Sequence, residues 1–332
     1  MRVLVTGVNG FAGSHLLEYL IDLGHDVYGT LRSFRSDRAN LAHINPAKYG
    51  LHLCDITDGT ATADLIKTLK PDRIFHLAAQ SYVPSSWAAP HATIAANVNG
   101  TLNILEAVRR HAPAAWVHVA GSSEEYGRVE PEECPITEEQ PLRPLSPYGV
   151  SKVAADMLAR QYAASYGLKV VVTRAFNHFG ERRGYAFAES NWAHQIARIE
   201  AGLQSPKISH GNLDAVRDYT DVRDIVRGYV LALEQGKSGE VYNLCSGPNS
   251  SPTMGSVLRQ LIDLSSCDNI VMYADPRRLR PSDVMRLIGD GTRARVELGW
   301  TPTIPFASTL AILLQYWRVV VQRNQGKILE RV

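Results

Sequence analysis

Tyr148 and Lys152 are the two residues whose types and spacing most directly suggest chemistry. They stand four positions apart in residues 146–152, a stretch that predicts the start of a long amphipathic helix. Residues at i and i+4 share one face of a helix, so both side chains can point into one cleft. We expect Lys152 to stabilise the phenolate of Tyr148 and to lower its pKa, which would make the phenol an acid/base near neutral pH. The same spacing also fits a packed Tyr under a solvated Lys.

A glycine-rich turn follows the first apolar strand of the chain. Residues 3–5 are Val, Leu and Val, and glycines stand at positions 7, 10 and 13, directly before a stretch with the apolar spacing of a helix. A strand, a glycine turn and a helix in this order are typical of a dinucleotide site, where the glycines allow a tight turn and close approach of a pyrophosphate. Such a turn can also be purely structural. The cofactor contacts predicted here are Gly7, Asn9, Gly10, Phe11 and Gly13.

The end of the second predicted strand carries a basic residue where an NAD site would be expected to carry an acidic one. Arg32 follows the strand predicted over residues 26–30, and Arg35 lies nearby. An acidic residue at this place binds the ribose hydroxyl of NAD, whereas Arg suits the 2′-phosphate of NADP. We therefore expect NADP as the cofactor. Alternatively, Arg32 and Arg35 only solvate a loop.

Strand patterns alternate with helical patterns through the first half of the chain. Further strands are predicted over residues 51–54, 73–77, 116–120 and 169–174, with helices over 61–69 and 99–111. This alternation predicts an α/β fold: a Rossmann-type doubly wound parallel sheet of about seven strands, with ligands at the carboxyl ends of the strands. Candidate cofactor contacts at two such ends are Asp55, Ile56, Leu77, Ala78, Ala79 and Gln80.

The second half changes to loops and helices with scattered polar residues, which predicts a smaller α/β C-terminal lobe for the substrate. We expect residues 1–175 to form an NADP-binding domain, with residues 212–245 returning to it. Residues 176–211 and 246–325 would then form the substrate lobe. A chain of 332 residues is long enough for such a division.

Composition argues against several classes of function. The formal net charge is +2, from 35 Lys and Arg against 33 Asp and Glu, which offers no broad basic surface for nucleic acid or an anionic membrane. The four cysteines lie far apart and the histidines show no paired ligand spacing, so we expect neither disulfides nor a metal. The first strand begins at residue 2, and residues 310–321 are too short and too polar for a membrane span, so we expect a cytoplasmic protein.

Four side chains converge in this predicted topology: Ser122, Glu124, Tyr148 and Lys152. If NADP oxidises an alcohol carbon, Tyr148 would remove the hydroxyl proton and Lys152 would hold the phenolate and the nicotinamide ribose. Ser122 would hydrogen-bond the oxygen on which charge develops. Glu124 could then take the acidified proton beside the new ketone and help to expel water from the next carbon.

These motifs are similar to those of a known family. The pattern Thr-Gly-x-x-Gly-x-x-Gly near the start and Tyr-x-x-x-Lys about 140 residues later resemble the extended short-chain dehydrogenase/reductase family, over nearly the whole chain. Within it, the chain looks most like the GDP-mannose 4,6-dehydratases and the GDP-4-keto-6-deoxymannose reductases. The stretches that carry this closer resemblance are residues 121–127, 143–148, 176–178, 211–218 and 280–283.

The resemblance implies a GDP-sugar substrate and a set of residues that bind it. Arg217 and Arg280 would hold the diphosphate, because Arg binds phosphate oxygens with paired donors. Alternatively, they form salt bridges with Asp218 and Asp283. His178 is a further expected cofactor contact. The substrate contacts implied are Ser81, Ser123, Asn177, Asn191, Arg217, Arg280 and Asp283.

The resemblance also implies self-association, as a homodimer or a homotetramer. The helices predicted over residues 99–111 and 146–166 would pair with the same helices of a second copy. In a tetramer, residues 32–38 could reach the cofactor of a neighbouring subunit.

Two reactions remain open within the resembling family. Dehydratases carry Thr, a spacer and Glu after the fifth strand, where this chain has Ser122, Ser123 and Glu124. Residues 182–184, Arg-Arg-Gly, look like the dehydratase version, whereas residues 179–181 match neither relative. Our first hypothesis is an NADP-dependent lyase that oxidises carbon 4 of a GDP-hexose, removes water across carbons 5 and 6 and returns the hydride to carbon 6. The alternatives are the NADPH-dependent reductase of the keto product, a 3,5-epimerase, and a silent nucleotide-binding regulator.

Overall fold

A parallel sheet of seven strands forms the centre of the protein in the computed structural model, which describes residues 1–279 and 284–323. The described strands, in chain order, are β1 Arg2–Thr6, β2 Asp26–Leu31, β3 Tyr49–Leu53, β4 Arg73–His76, β5 Trp116–Ala120, β6 Lys169–Ala175, β7 Asn177–Phe179, β8 Lys207–His210, β9 Val216–Arg217, β10 Tyr219–Asp221, β11 Val241–Leu244, β12 Val271–Ala274 and β13 Arg286–Leu287.

Helices cover both faces of the central sheet. The described α-helices are α1 Phe11–Asp22, α2 Gly59–Leu69, α3 Val83–Ala88, α4 Pro90–Ile94, α5 Gly100–His111, α6 Pro147–Tyr166, α7 Ala188–Glu200, α8 Val222–Gln235, α9 Met254–Asp263, α10 Thr292–Leu298 and α11 Phe306–Arg323. A π-helical turn, Ala95–Asn99, precedes α5.

The strand order of the sheet is β11-β6-β5-β4-β1-β2-β3. The chain runs outward from β1 through β2 to β3, then crosses back to β4 and continues outward on the other side. Thr6 of β1 pairs with His76 of β4, so these two strands end level with each other. A crevice opens between the loops at such a reversal, and in α/β sheets this is where ligands bind.

The strands are apolar on both sides because helices cover both faces. Val3 and Val5 are fully buried in a core with residues of α1 and α8, while Leu4 between them is fully buried in a second core with residues of α2 and α5. Alternate side chains of a strand point to opposite faces, so one short strand serves both cores. The predicted α/β sheet of about seven parallel strands is confirmed.

A third core lies in the second half of the chain. It is built mainly from α7, α9 and α11, and Trp192, Leu258, Leu313 and Trp317 are buried in it. Three two-stranded parallel ladders, β7 with β10, β8 with β12 and β9 with β13, border these helices. The smaller lobe is therefore itself α/β, as predicted. Within residues 1–279 and 284–323, no helix is long and apolar enough to cross a membrane.

Asp224, in the first turn of α8, is hydrogen-bonded to the segment that precedes α11. Its buried carboxylate accepts hydrogen bonds from the backbone N–H groups of Thr303 and Ile304, both at 2.8 Å, and from the Thr303 hydroxyl at 3.0 Å. Arg227 pairs with the same carboxylate at 2.6 Å. The pKa of Asp224 is lowered by these hydrogen bonds, although burial opposes the shift.

We predict that Asp224→Ala lowers the free energy of unfolding by about 3 kcal/mol, because two backbone donors and a guanidinium lose a buried partner. Urea unfolding monitored by circular dichroism measures the change. Asp22→Ala, at the exposed end of α1, is the control and should stay within about 0.5 kcal/mol of wild type. Equal stability of the two variants would contradict this assignment.

Candidate active site

The glycine turn after β1 lies against the segment that follows β4. Gly7 has a φ of +69°, and a Cβ added to it would lie 2.8 Å from the Cα of Ala78. A Cβ on Gly13 would lie 2.3 Å from the carbonyl oxygen of Gly7. Thr6 Oγ1 accepts hydrogen bonds from the N–H groups of Leu77 and Ala78, both at 3.1 Å. The glycines therefore let the turn pack closely at the crevice between β1 and β4, and no side chain caps the N-terminus of α1 that follows it.

The loop after β2 is tied to the same turn. Gly7 N–H donates to Thr30 Oγ1 at 3.2 Å, and Asn9 Nδ2 donates to the carbonyl of Asp37 at 2.8 Å. Arg32 is exposed on this loop, two residues beyond Thr30. The basic residue identified from the sequence thus lies at the side of the glycine turn.

The loops after β3 and β4 are each held by local hydrogen bonds. Asp55 Oδ1 accepts from the N–H of Thr57 at 3.0 Å and from its hydroxyl at 2.8 Å. Ile56 is buried against Gly100 at the start of α5. Ala78, Ala79 and Gln80 are half-buried at the crevice, in line with their predicted place at a strand end.

Asn97 was missed by the sequence analysis, although it joins two walls of the site. It lies in the π-helical turn, is buried, and accepts from Gln80 N–H at 2.8 Å while its Nδ2 donates to the Gln80 carbonyl at 3.0 Å. The same Nδ2 donates to Ser151 Oγ at 2.8 Å. The only available signal was a polar residue inside an otherwise helical pattern.

The first turn of α6 presents Tyr148 and Lys152 together, as their spacing predicted. Ser146 caps the helix by accepting from Gly149 N–H at 3.0 Å. The phenol of Tyr148 is hydrogen-bonded to the Ser122 side chain. Lys152 Nζ lies 5.9 Å from the centroid of the Tyr148 ring and donates to the Ala120 carbonyl at 2.7 Å.

The electrostatics of this pair differ from the expectation. Burial raises the pKa of Tyr148, although the Ser122 hydrogen bond opposes the shift. The expected lowering of the Tyr148 pKa by Lys152 is therefore wrong in this structure, because desolvation outweighs a cation whose hydrogen bond goes to a backbone carbonyl. Burial lowers the pKa of Lys152 to about 8, and the neighbouring Glu125 opposes this.

Residues 122–125 form a tight turn beside Tyr148. Ser122 Oγ accepts from Glu124 N–H at 3.2 Å, and Ser122 N–H donates to Glu125 Oε1 at 2.7 Å. Ser123 is buried, whereas Glu124 is half-buried and its charge contributes to raising the pKa of Tyr148. The Glu124 carbonyl packs against Gly149, the residue after Tyr148, so Glu124 lies in a turn beside the start of α6. The sequence analysis did not identify Glu125 as a functional residue, because Glu124 already supplied the Glu expected two positions after Ser122.

His178 on β7 connects the second lobe to the glycine turn. Its ring stacks on Phe11, with centroids 5.9 Å apart and planes 9° apart. Burial lowers the pKa of His178 to about 4, so the ring is neutral and its Nδ1–H donates to the Phe176 carbonyl at 2.9 Å. Asn177 precedes it, half-buried.

Arg183 is a second residue that the site prediction did not include. Its guanidinium lies 3.8 Å from the Phe187 ring centroid and 5.2 Å from that of Phe11, and it pairs with Glu189 at 2.5 Å. Its charge acts to lower the pKa of both Tyr148 and His178. A cation is therefore held at the junction of the two lobes.

The remaining predicted substrate residues lie on several elements. Asn191 Oδ1 accepts from Gln195 Nε2 at 2.7 Å within α7, and Ser81 is exposed just before α3. Arg217 is buried in β9, where it donates to the carbonyl of the preceding residue at 3.0 Å.

The alternative prediction paired Arg217 with Asp218 and Arg280 with Asp283 in salt bridges. Asp218, the alternative partner of Arg217, accepts backbone N–H groups of Ser246 and Gly247, both at 2.8 Å. Arg280 and Asp283 lie outside the described residues. Among the residues that the structure does describe, no group of three or more His, Cys, Asp or Glu side chains could hold a metal ion.

The similarity of the chain to known proteins covers nearly its full length. The model of the GDP-mannose 4,6 dehydratase family matches residues 4–313. The chain belongs to this family. It is 33% identical over 323 residues to the GDP-6-deoxy-D-mannose reductase of Pseudomonas aeruginosa, covering 97% of this chain and 99% of the relative. It is also 33% identical to GDP-mannose 4,6 dehydratase 1 of Arabidopsis thaliana, over 94% of this chain and 88% of the relative.

A solved structure agrees with the family assignment. RMD from Pseudomonas aeruginosa, complexed with NADPH, superposes with a TM-score of 0.82 at 32% identity, covering 97% of this chain and all of that chain. The resemblance to the extended short-chain dehydrogenase/reductase family and to its GDP-mannose branch is thus confirmed.

We predict that Gly13→Ala weakens NADPH binding at least tenfold and lowers the free energy of unfolding by about 2 kcal/mol, because the new methyl group clashes with the turn. Fluorescence titration and urea unfolding measure the two effects. Gly255→Ala is the matched control: it is also a glycine in the first turns of a helix, and its added Cβ would meet its nearest neighbour at 3.4 Å. Unchanged NADPH binding in Gly13→Ala would remove the turn from the cofactor site.

Proposed function

We propose that the protein is an NADP-dependent GDP-mannose 4,6-dehydratase, a lyase that converts a GDP-hexose to its GDP-4-keto-6-deoxy derivative. The observation that carries the proposal is that Glu124 lies in the turn packed against the first turn of α6, close enough for its charge to raise the pKa of Tyr148. Simple alcohol oxidation needs only the phenol and its partners. A carboxylate next to them provides the second acid/base group that elimination of water requires.

The residues around the crevice fit a dinucleotide. The tight glycine turn leaves no room for a Cβ at Gly7 or Gly13. No side chain caps the N-terminus of α1, so its first backbone N–H groups could bind a pyrophosphate. When bound, NADP would accept a hydride from the sugar and give it back. Arg32 beside the turn supports NADP over NAD, and so does the NADPH in the related RMD structure. The proposed cofactor contacts are Gly7, Asn9, Gly10, Phe11, Gly13, Arg32, Asp55, Ile56, Leu77, Ala78, Ala79, Gln80, Tyr148, Lys152 and His178.

In the proposed oxidation, the phenolate form of Tyr148 takes the proton of the C4 hydroxyl as C4 loses its hydride. Ser122, which is hydrogen-bonded to the phenol, steadies the oxygen on which charge develops. The ammonium of Lys152 favours the phenolate electrostatically as soon as one forms.

The C4 ketone then makes the proton on C5 acidic. Glu124 takes this proton and delivers it to the C6 hydroxyl, which leaves as water. The hydride would return to C6 from bound NADP, and Tyr148 would give its proton to C5, which restores the phenolate. The sugar loses one water, and the oxidation state of the cofactor is unchanged over the cycle.

We infer that the GDP-sugar binds between this chemistry and the second lobe. Arg217 and the buried cation of Arg183 would offset the diphosphate charge at the junction of the lobes. The proposed substrate contacts are Ser81, Ser123, Asn177, Asn191, Arg217, Arg280 and Asp283.

Our proposal extends to the division of the chain into two domains and to its self-association. We propose residues 1–175 with 212–245 as the NADP-binding domain and residues 176–211 with 246–325 as the substrate lobe. A homodimer or homotetramer is supported by apolar side chains exposed on α6: Val150, Met157 and Tyr166 have 47%, 46% and 54% of their surface accessible. We also propose a cytoplasmic location, where phosphorylated cofactors and nucleotide sugars are retained by their charge.

The second candidate is the NADPH-dependent reductase of the keto product. It is favoured by the match to the Pseudomonas aeruginosa reductase over 99% of that relative and by Ser122 in the place where dehydratases carry Thr. The two activities differ in cofactor turnover. A reductase consumes one NADPH for each product, whereas the lyase shows no net change.

We predict that wild type converts GDP-mannose to a 4-keto-6-deoxy product with no net change in NADPH absorbance. Glu124→Gln should lower turnover by 10²–10⁴-fold, since it lacks the base for C5, and should accumulate at most one equivalent of NADPH per site. Mass spectrometry and absorbance follow both. Glu132→Gln, at an exposed position, should behave as wild type. Continuous NADPH consumption with the keto sugar would favour the reductase, and no conversion of any nucleotide sugar would favour a binding protein.

We predict that turnover falls as pH rises through about 8, because the lowered pKa of Lys152 makes its ammonium lose the proton there. Below this pH the cation is present and favours the phenolate of Tyr148. Steady-state rates from pH 6 to pH 10 give the profile, with circular dichroism at each pH to show that the fold persists. A rate that stays constant to pH 10 would contradict a role for the Lys152 charge.

A further inference from the structure

Three charged side chains are fully enclosed behind the turn that carries Ser122. Glu125 and Asp156 are 0% exposed and Arg174 is 1% exposed. They come from the turn after β5, from α6 and from β6. Arg174 Nε lies 3.1 Å from Glu125 Oε2 and 2.9 Å from Asp156 Oδ2, and its second nitrogen lies 2.8 Å from the same Asp156 oxygen.

The charges of this cluster do not balance if both acids are ionised. Two fully buried carboxylates would then face the buried guanidinium of Arg174, with only a distant contribution from Arg160, which is 45% exposed and lies 4.0 Å from Asp156 Oδ1. An incompletely balanced buried charge is strongly unfavourable. Arg174 Nε contacts both acids at once, through Glu125 Oε2 and Asp156 Oδ2, so the two carboxyl groups lie side by side. Among the described residues, the buried Asp156 Oδ1 has no hydrogen-bond partner. One proton retained by the two acids would balance the charge of Arg174, because a protonated carboxyl group can donate a hydrogen bond to a neighbouring carboxylate.

We propose that Glu125 and Asp156 share one proton over Arg174, and that Glu125 in this neutral pair is a positioning residue for the catalytic turn. Its Oε1 accepts the N–H of Ser122 at 2.7 Å, while the Ser122 side chain contacts the phenol of Tyr148. The pair thus sets the place of Ser122 without adding a full negative charge beside Tyr148.

The groups around the pair agree with a retained proton. Burial and the neighbouring Asp156 raise the pKa of Glu125, and Arg174 and the Ser122 N–H only partly oppose them. An ionised Glu125 would raise the pKa of Tyr148 and of Lys152, so it would oppose formation of the phenolate. The charged and titratable groups that face the pair are Lys152 and Arg160 on α6, Arg174 on β6, and Glu124, Tyr126, Glu138 and Tyr148.

The shared proton can be tested by infrared spectroscopy, independently of any substrate. A protonated carboxyl group has a carbonyl band at higher frequency than a carboxylate. Spectra at pH 7 of wild type minus Glu125→Gln, and of wild type minus Asp156→Asn, should both contain this band. Either substitution leaves a single carboxylate paired with Arg174, which needs no proton. Glu132→Gln is the control and should give no difference band.

The role in positioning rests on the proposed function and is tested by turnover. Glu125→Gln resembles the neutral acid and should keep kcat within about threefold of wild type, whereas Glu125→Leu, which cannot accept the Ser122 N–H, should lose at least tenfold in kcat with NADPH binding retained. Equal losses in both variants would show that the ionised acid is needed and would overturn the proposal. So would the absence of the band from either difference spectrum. An inactive wild type that still shows the band would refute the proposed function alone.

Discussion

The contact between the first turn of α6 and the turn at residues 122–125 is the constraint on which the proposed chemistry depends. A Cβ at Gly149 would lie 2.7 Å from the carbonyl of Glu124, so the helix can begin at this place only with glycine as the second residue after Pro147. The contact sets the distance between Tyr148 and Ser122, which are far apart in the chain. It also brings Glu124 to the edge of the same space.

Stacked rings join the second lobe to the glycine turn, and ion pairs such as Arg182 with Glu18 and Arg293 with Glu138 also link the lobe to the first half of the chain. His178 lies on Phe11, and Arg183 lies between Phe11 and Phe187. Phe11 begins α1 directly after the glycine turn, so one aromatic side chain joins that turn to the second lobe. A neutral His178 suits this place, because a second buried cation beside Arg183 would be unfavourable.

The sequence was most informative where the signal is local. The apolar strand, the glycines at 7, 10 and 13 and the spacing of Tyr148 and Lys152 depend on a few neighbouring residues, and they predicted the sheet and the first turn of α6 correctly. The pKa of Tyr148 was predicted in the wrong direction, because burial depends on the whole fold. Glu125 and Asn97 were missed for the same reason: their partners Arg174, Asp156 and Ser151 lie 49, 31 and 54 residues away in the chain, and no pattern in a single sequence pairs them. Roles for the predicted substrate residues of the second lobe stay predictions.

β11 is synthesised long after β6, the strand with which it pairs, so the central sheet cannot be completed while the chain between them is being made. This strand pairs with β6, but about 65 residues separate them. While a ribosome is still translating the intervening segment, β6 has an open hydrogen-bonding edge, and α8, which covers one face of the sheet with α1, is also incomplete. An open edge of this kind invites pairing with another nascent chain. The central sheet can therefore be completed only after residues 176–240 have been synthesised, although they separate two neighbouring strands.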